Sequence, residues 1–241
     1  MDLLEQIGTY GGFNFTIVYE SFDRARFIKA IGFTVSLSVT CIVFSTLGGL
    51  VLALLHDARG RPTKVLIELY VSVFRSTPPL VQMYFFFFGV GALFGGLIGG
   101  GFVISGTTWA VISLSLFIGA LNTECFRIGI EKVPKGYIEG AEALGLRRRI
   151  ITWKIVLPLA LRAALPSLTN NLVELIKATS YAYAIAVPEI LYVSSQIWAD
   201  ELNVTEMIVA LFLTYTVLIG GLIYLMRSLE HRLAMPGYGS N

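Results

Sequence analysis

Polar residues that could bind a solute or form buried ion pairs lie inside apolar stretches of this sequence. Four of them follow one another at spacings of four, three and four residues: Asn170, Glu174, Lys177 and Tyr181. A helix would place all four on one face. Glu124 and Arg127 repeat the three-residue spacing in an earlier apolar stretch. Charged groups at membrane depth are costly and usually functional, so both sets are candidate functional residues.

Two interpretations of the later set stay open. Glu174 and Lys177 could form an ion pair within one helix that packs against another helix, or their face could line a solute path. For Glu124 and Arg127 we expect a pair that anchors the segment following them. Thr77 and Gln82 flank Pro78-Pro79, where the chain turns into an apolar stretch, and polar side chains there could also face a path.

The sequence lacks the familiar motifs of catalysis and metal binding. Cys41 and Cys125 are far apart and form no CxxC or Cys/His cluster, so neither a structural zinc nor a disulfide framework is expected. His56 and His231 lie at the ends of apolar runs, where a solvated interfacial histidine is the usual finding. No GxxxxGK[ST], Gly-x-Ser-x-Gly or HExxH motif occurs. We therefore expect no enzymatic activity and no metal site in this chain.

The composition predicts that membrane helices position these residues. Of 241 residues, 55% are hydrophobic and only 14% are charged. A typical soluble domain carries about 25% charged residues. A helix needs about 20 apolar residues to cross the hydrocarbon core, and long uncharged stretches recur here. The sequence thus predicts an all-α integral membrane protein.

Five spans are predicted between an N-terminal segment at 1–29 and a tail at 231–241. The predicted spans cover about residues 30–55, 80–98, 102–121, 164–187 and 207–226. The stretch 65–74 is too short to span, so we expect an interfacial or buried helix there. Together the spans and their connections form one predicted transmembrane domain at 30–230.

The distribution of Lys and Arg predicts an N-out, C-in orientation. The loop after the first span, the loop at about 126–163 and the tail carry most of these cations, whereas the connections around 99–106 and 188–206 carry none. The first group is therefore expected in the cytoplasm and the second outside. Arg24, Arg26 and Lys29 oppose this assignment, but the later loops outnumber them.

The loop at 126–163 contains two predicted helices. Residues 137–146 place Ile138, Ala141 and Leu144 at three-residue spacing on one face, and Gly145 can end the helix. A second helical stretch is expected from about Arg149 to Leu157-Pro158. The first helix suits docking into a groove of a partner protein. The alternative is a helix on the lipid surface, helped by three arginines at 147–149.

These residues resemble the EAA loop of ABC importer permeases. Glu139-Gly140-Ala141 is followed after three residues by Gly145, and after nine more by Ile155, one residue and then Leu157-Pro158. The spacing agrees throughout, and the one departure is Gly140 where the family usually has alanine. In that family the loop forms the coupling helix that occupies a cleft of the ATPase subunit.

Further stretches resemble the polar amino acid uptake permeases of the histidine, glutamine and arginine type. FRSTPPLVQ at 74–82 is similar to that family's FRGTPLLVQ element. NTECFR at 122–127 and KATS at 177–180 are similar to later elements, with Ala178 in place of the usual aspartate. The resemblance covers about residues 30–230, and four elements occur in the family's order.

The resemblance implies the five-span fold of a type I ABC importer permease with a cytoplasmic coupling helix. It also implies a permease subunit that moves a polar amino acid or a similar solute across the bacterial inner membrane. The expected partners are two ATPase subunits, a second permease subunit of the same or a related chain, an external solute-binding protein and the lipid bilayer, with no nucleic acid. No cofactor is expected in this chain, since ATP and Mg²⁺ would bind the partner ATPase.

The resemblance assigns residues to the first of two candidate sites, and polar residues at membrane depth define the second. We expect coupling to the ATPase to involve Glu139, Gly140, Ala141, Leu144, Gly145, Ile155, Leu157 and Pro158. Glu139, Ala141 and Leu144 should contact the ATPase, Gly145 should permit the turn, and Leu157-Pro158 should fix the entry into the fourth span. The candidate substrate path comprises Thr77, Gln82, Glu124, Asn170, Glu174, Lys177, Ser180 and Tyr181.

The alternative from another functional class is a stand-alone ion channel or secondary carrier. It would use the face carrying Glu174 and Lys177 for ions or protons and would need no ATPase. Such carriers often contain inverted repeats, and this sequence shows no internal inverted repeat. The amphipathic helix at 137–146 would also lack a purpose in such a protein.

Overall fold

The structure, a computed structural model, describes residues 13–58, 60–93 and 104–233, and its regular elements are all helical. Among these residues, the α-helices whose two ends are described are α1 (Thr16–Tyr19), α2 (Ser21–Ala58), α3 (Arg61–Ser76), α4 (Pro79–Tyr84), α5 (Gly106–Glu131), α6 (Lys135–Ala143), α7 (Arg148–Ile151), α8 (Leu157–Ala178), α9 (Ile190–Glu201) and α10 (Val204–Leu233). Wider π turns follow α4 at Phe85–Val90 and α7 at Thr152–Val156, and a 3₁₀ helix follows α8 at Thr179–Ile185. Predictions for residues 1–12, 94–103 and 234–241 lie outside the described residues.

Four helical stretches in the described part of the chain are long and apolar enough to cross a membrane. They cover Ser21–Asp57, Gly106–Glu131, Arg148–Ile185 and Val204–Leu233. The stretch Pro79–Leu93 is apolar but shorter, and it coincides with the start of the predicted second span. The predicted all-α membrane fold is therefore confirmed, while the predicted number of five spans, their boundaries and their orientation stay predictions.

Prolines lie at the start of several of the shorter helices. Pro62 lies in the first turn of α3, Pro79 in that of α4, and Pro134 precedes α6 in an extended conformation. Proline suits these positions because its fixed φ matches the helix and its missing N–H would have no partner there. α3 is a helix, as predicted, and its 16 residues are too few to span the hydrocarbon core.

The sequence predicted that the second helix of the loop ends at Leu157-Pro158, and this prediction is wrong. The chain stays helical from Arg148 through the π turn into α8 and on to Ala178. Pro158 lies in the first turn of α8, directly after the π turn. Proline is tolerated at a helix start, and a π turn accommodates the missing hydrogen bond. A proline in this position therefore continues the helical path.

The residues divide into two compact units, of which the first comprises the described parts of Met1–Ile42, Pro78–Leu114 and Leu175–Gly220. Its buried core contains Phe27, Ala30, Ile190, Val193, Ile197, Met207 and Ala210. The segment before α2 is tied to the start of α10. The Asn14 backbone N–H donates to Glu206 (2.8 Å), and the Asn203 side chain donates to the Asn14 carbonyl (3.0 Å) and to Thr16 Oγ1 (3.1 Å).

Glu189 is a fully buried carboxylate at the start of α9 in this first unit. It accepts hydrogen bonds from the backbone N–H groups of Leu191 (2.9 Å) and Tyr192 (2.7 Å) and from the Tyr215 hydroxyl (3.2 Å). Burial raises the pKa of Glu189 to about 7, against the lowering effect of the two backbone donors. Its side chain caps α9 and joins that helix to α10.

The second unit comprises Val43–Thr77, Ser115–Glu174 and the described part of Gly221–Asn241. Its helices approach one another closely at glycines. A Cβ on Gly129 of α5 would lie 2.6 Å from the Ala160 carbonyl oxygen of α8, and one on Gly49 of α2 would lie 2.7 Å from Asn122 Cβ. Only glycine permits these backbones to come so near.

Candidate functional site

Helix α6 lies where the coupling helix is predicted, and it is amphipathic. Ala141 is only 4% exposed and packs with Val133, Ile151 and Val156, while Ile138 is half-buried against the same cluster. Glu139 and Gly140 are exposed. The helix is therefore held to its own chain by one face and presents the other to solvent or to a partner.

Leu144 differs from the predicted pattern of three residues on one face, because its side chain is 81% exposed. The Leu144 N–H still donates to the Gly140 carbonyl (3.2 Å), so Leu144 keeps the helical register, but it lies outside the buried cluster that covers Ala141. Ala141 instead contacts its own chain. The surface available to a partner carries Glu139, Glu142 and Leu144.

Gly145 terminates helix α6, as predicted, and the helix end has the hydrogen bonds of a known capping motif. Gly145 adopts a left-handed conformation with φ +73°. Its N–H donates to the Glu142 carbonyl (2.8 Å), and the Leu146 N–H donates to the Ala141 carbonyl (3.1 Å). These two bonds form the Schellman motif, which satisfies carbonyls that the helix leaves without a partner.

The remaining predicted coupling residues lie on the helical path that follows. Ile155 is partly buried against the cluster that contains Ala141. Leu157 and Pro158 form the first two positions of α8 and are half-buried. The structure thus brings Ile155 together with the buried face of α6, while Leu157 and Pro158 lie at the junction between the π turn and α8.

The polar residues of α8 and the turn after it are accessible to different degrees. Asn170 and Lys177 are exposed, and Glu174 and Tyr181 are half-buried. In the part of the chain that the structure describes, neither Glu174 nor Lys177 has an ion-pair partner. The interpretation of an ion pair within one helix is therefore not supported, and these charges are open to solvent or to a partner.

Thr77 and Ser180, two other residues of the candidate path, use their hydroxyl groups locally. The Thr77 hydroxyl donates to the Val73 carbonyl (2.8 Å), and the Ser180 hydroxyl donates to the Lys177 carbonyl (2.7 Å). Gln82 is buried, with 6% of its surface exposed. A role for these three residues in binding a solute stays a prediction.

Glu124 and Arg127 form the predicted ion pair. The Arg127 guanidinium donates to both Glu124 carboxylate oxygens, at 2.7 and 2.8 Å, and also to Glu131 one turn further on. A bidentate arginine–carboxylate pair is stronger and better oriented than a single hydrogen bond. The pair orders the last two turns of α5, directly before the loop.

This ion pair lines a polar cavity of about 400 Å³ in the second unit. The other polar lining residues come from α2, α3 and α5: His56, Glu68, Ser72, Arg75, Ser76 and Thr123. His56 Nε2 lies 3.1 Å from Glu68 Oε1. This contact between His56 and Glu68 was not predicted, because the two residues lie on different helices and no motif joins them.

A buried chain of amides was also missed. Asn122 is fully buried, and its side chain donates to Ser45 Oγ (3.4 Å) while accepting from the Asn171 amide (3.1 Å). The four-residue spacing had selected the neighbouring Asn170, which is exposed. The helical spacing between Asn171 and the buried Leu168 and Leu175 was the signal that could have identified it.

The chain matches the family model described as "Binding-protein-dependent transport system inner membrane component" over residues 45–235. This match covers most of the chain, and the chain belongs to that family. It is a multi-pass membrane protein and the permease component of its transport system. The ATPase of such a system is a separate subunit. The predicted class of function is therefore confirmed, and the predicted absence of catalysis in this subunit agrees with it.

Individual relatives and a solved structure agree with this assignment. The chain is 30% identical to the "Probable amino-acid permease protein YxeN" of Bacillus subtilis (strain 168), covering 79% of this chain and 84% of that one. It is 32% identical to the "L-cystine transport system permease protein TcyB" of the same organism, covering 72% and 71%. Its fold is similar to a chain of the "Crystal structure of an amino acid ABC transporter with histidines", with a TM-score of 0.77, 24% identity and coverage of 87% and 94%.

Proposed function

We propose that this permease subunit moves a polar amino acid or an amino-acid-like solute across the bacterial inner membrane. The names of the relatives refer to amino acids and L-cystine, and this supports the substrate class. The candidate path, with its open Asn170, Glu174 and Lys177, offers both charges and hydrogen-bonding groups to such a zwitterion.

The observation that carries the coupling mechanism is the two-faced helix α6. Its buried face, with Ala141 and Ile138, transmits force to the chain, and its exposed face, with Glu139, contacts the ATPase. When two ATPase subunits close on ATP, they pull on α6. The continuous helical path from Arg148 to Ala178 then carries the displacement toward the candidate path as a rigid-body motion.

The proposed assembly has two permease subunits, two ATPase subunits and an external binding protein. The second permease subunit is a copy of this chain or a related chain, because a handful of spans cannot readily enclose a solute path. ATP and Mg²⁺ act in the ATPase subunits, and this chain carries no cofactor or metal. The proposed topology has five spans with the N-terminus outside, so that the loop at 126–163 faces the cytoplasm and the ATPase.

The test is co-purification from the native membrane after detergent solubilisation. We expect the wild-type chain to bring down an ATPase subunit and Glu139→Lys to lose most of it, because a reversed charge on the exposed face opposes docking. Glu201→Lys is the matched control, since Glu201 is also exposed but lies on the connection predicted to be external. It should retain the ATPase.

Two results would contradict the coupling proposal. One is equal recovery of the ATPase with wild type and Glu139→Lys. The other is wild-type protein that brings down no ATPase under conditions that preserve the membrane complex. In the second case, solute or ion flux through the chain alone in liposomes would favour a stand-alone channel or carrier.

A further inference from the structure

A second cavity, of about 530 Å³, opens on the surface of the second unit. It lies between the last two turns of α2 and the short helix α7 with its π turn. Its lining residues are Val51, Leu54, Leu55, Asp57, Arg148, Arg149, Thr152 and Trp153. None of them belongs to the coupling surface or to the candidate path described above. We refer to it as the arginine groove.

One wall of the arginine groove is apolar and lies on a spanning helix. Val51, Leu54 and Leu55 belong to α2, within the stretch Ser21–Asp57 that is long enough to cross a membrane. Val51 is 54% exposed and Trp153 on the facing wall is 56% exposed. Exposed apolar side chains on such a helix face acyl chains, and tryptophan prefers the level of the lipid headgroups.

The other feature of the groove is two adjacent cations. Arg148 and Arg149 are exposed, and no hydrogen bond or ion pair from either side chain exists among residues 13–58, 60–93 and 104–233. Asp57 is the one acidic residue of the lining, and it forms no ion pair with them in the described structure. The groove therefore combines an excess of positive charge with an apolar wall.

We propose that the arginine groove binds an anionic phospholipid. The phosphodiester lies between the guanidinium groups of Arg148 and Arg149, which match phosphate oxygens in geometry and charge. One acyl chain follows Val51 and Leu54 along α2, beside Trp153. Asp57 accepts a hydrogen bond from a headgroup hydroxyl, as phosphatidylglycerol offers. Basic pockets beside spanning helices suit anionic headgroups, and the apolar wall distinguishes a lipid from a soluble phosphate ligand.

The proposal is independent of the solute and of the ATPase, since it needs only a membrane-embedded chain. Arg148 is the first residue of α7, the helix that follows α6. A bound lipid would therefore fix the end of α2 to the start of α7. The lipid would therefore anchor the segment through which α6 is connected to α8.

The experiment uses Trp153 as the reporter in the full-length chain. Replacing Trp109 and Trp198 with phenylalanine leaves Trp153 as the single tryptophan. The protein is placed in nanodiscs of phosphatidylcholine with increasing fractions of brominated phosphatidylglycerol, which quenches tryptophan on contact. We expect half-maximal quenching at a fraction more than about tenfold lower than with brominated phosphatidylcholine.

The matched variants remove the same charge at different places. Arg148→Gln with Arg149→Gln should abolish the preference, at about fivefold in apparent affinity for each arginine. Arg147→Gln with Lys154→Gln removes two neighbouring exposed cations outside the groove, and this variant should retain the preference for phosphatidylglycerol. Equal quenching by the two lipids in the single-tryptophan protein overturns the proposal. So does a preference that survives in the Arg148/Arg149 variant.

A second measurement avoids the tryptophan replacements. Native mass spectrometry of the otherwise wild-type chain, with the same two pairs of variants, counts the phosphatidylglycerol that remains bound after delipidation. We expect retained lipid in the wild type and in the Arg147/Lys154 variant, and its loss from the Arg148/Arg149 variant. Equal retention in all three proteins overturns the assignment of the site.

Discussion

Gly145 ends α6 in a conformation that other residues adopt only with strain. Its φ of +73° is left-handed, and a Cβ built there meets nothing within 4 Å, so the strain is in the backbone alone. We expect Gly145→Ala to cost about 1–2 kcal/mol of local stability. Hydrogen exchange is the appropriate measurement, and the amides of Gly145 and Leu146, which close the Schellman motif, should exchange faster.

Gly140 is the control within the same helix, because it is exposed and also has open space around its Cβ position. Gly140→Ala introduces the alanine that is usual at this position of the EAA loop. It should slow exchange across α6 and stabilise the helix by up to about 1 kcal/mol. If both alanine variants change exchange in the same direction, the left-handed conformation of Gly145 does not govern the end of the helix.

The side-chain pairs differ in how far the sequence could predict them. The spacing of Glu124 and Arg127 predicted an ion pair, and the structure contains it with two hydrogen bonds. Glu174 and Lys177 have the same spacing, but neither forms an ion pair with any residue that the structure describes. Spacing determines which residues can meet, whereas the surroundings determine whether they do. Arg127 is additionally held by Glu131, a residue one turn away.

Between elements, the contact of α2 with α5 depends on the absence of a side chain at Gly49. A Cβ there would lie 2.7 Å from Asn122 Cβ and 2.9 Å from the Thr123 backbone nitrogen. The neighbour is a buried residue with a hydrogen bond to Ser45, so it cannot easily move. We expect Gly49→Ala to separate the two helices and to destabilise the protein by about 1–3 kcal/mol. A lower unfolding midpoint of the purified protein in detergent would report this.

Gly48 supplies the comparison, since it is the adjacent residue on the same helix. It is exposed, and a Cβ at this position meets nothing within 4 Å. Gly48→Ala should leave the unfolding midpoint unchanged or raise it, because alanine favours the helix. A comparable loss of stability in both variants would mean that helix flexibility, and not the close approach to α5, explains the glycine at 49.

Helices were predictable from the sequence where apolar length and capping residues determine them. Apolar length identified α2, α5, α8 and α10, and Gly145 identified the end of α6. The continuous path through Pro158 was not predictable, because a proline ordinarily signals a helix end, whereas here Pro158 follows a π turn and Pro166 lies inside α8 as well. The burial of Asn171 and not Asn170 depends on which face of α8 meets Asn122, and that follows from packing.

At the scale of the whole molecule, the arginines near the N-terminus are the exception to the predicted orientation. Arg26 donates to Asp200 (3.1 Å) and Gln196 (3.3 Å) and lies 3.5 Å from Asp23. Arg24 donates to the Val18 carbonyl (3.0 Å). Both cations therefore have partners in the first unit, and Asp200 and Gln196 lie on the connection predicted to be external. Their placement outside is compatible with the folded structure, and the larger set of cations in the later loops favours the predicted orientation.

The orientation can be measured with single cysteines, because Cys41 and Cys125 are both buried and should react little. Leu202 is 88% exposed on the connection predicted to be external, and Gly60 is exposed on the loop predicted to be cytoplasmic. In intact spheroplasts, a membrane-impermeant maleimide should label Leu202→Cys and leave Gly60→Cys unlabelled until the membrane is permeabilised. The wild-type chain is the control for the buried cysteines. Labelling of Gly60→Cys alone in intact spheroplasts would mean the opposite orientation, and the exposed face of α6 could then not contact a cytoplasmic ATPase.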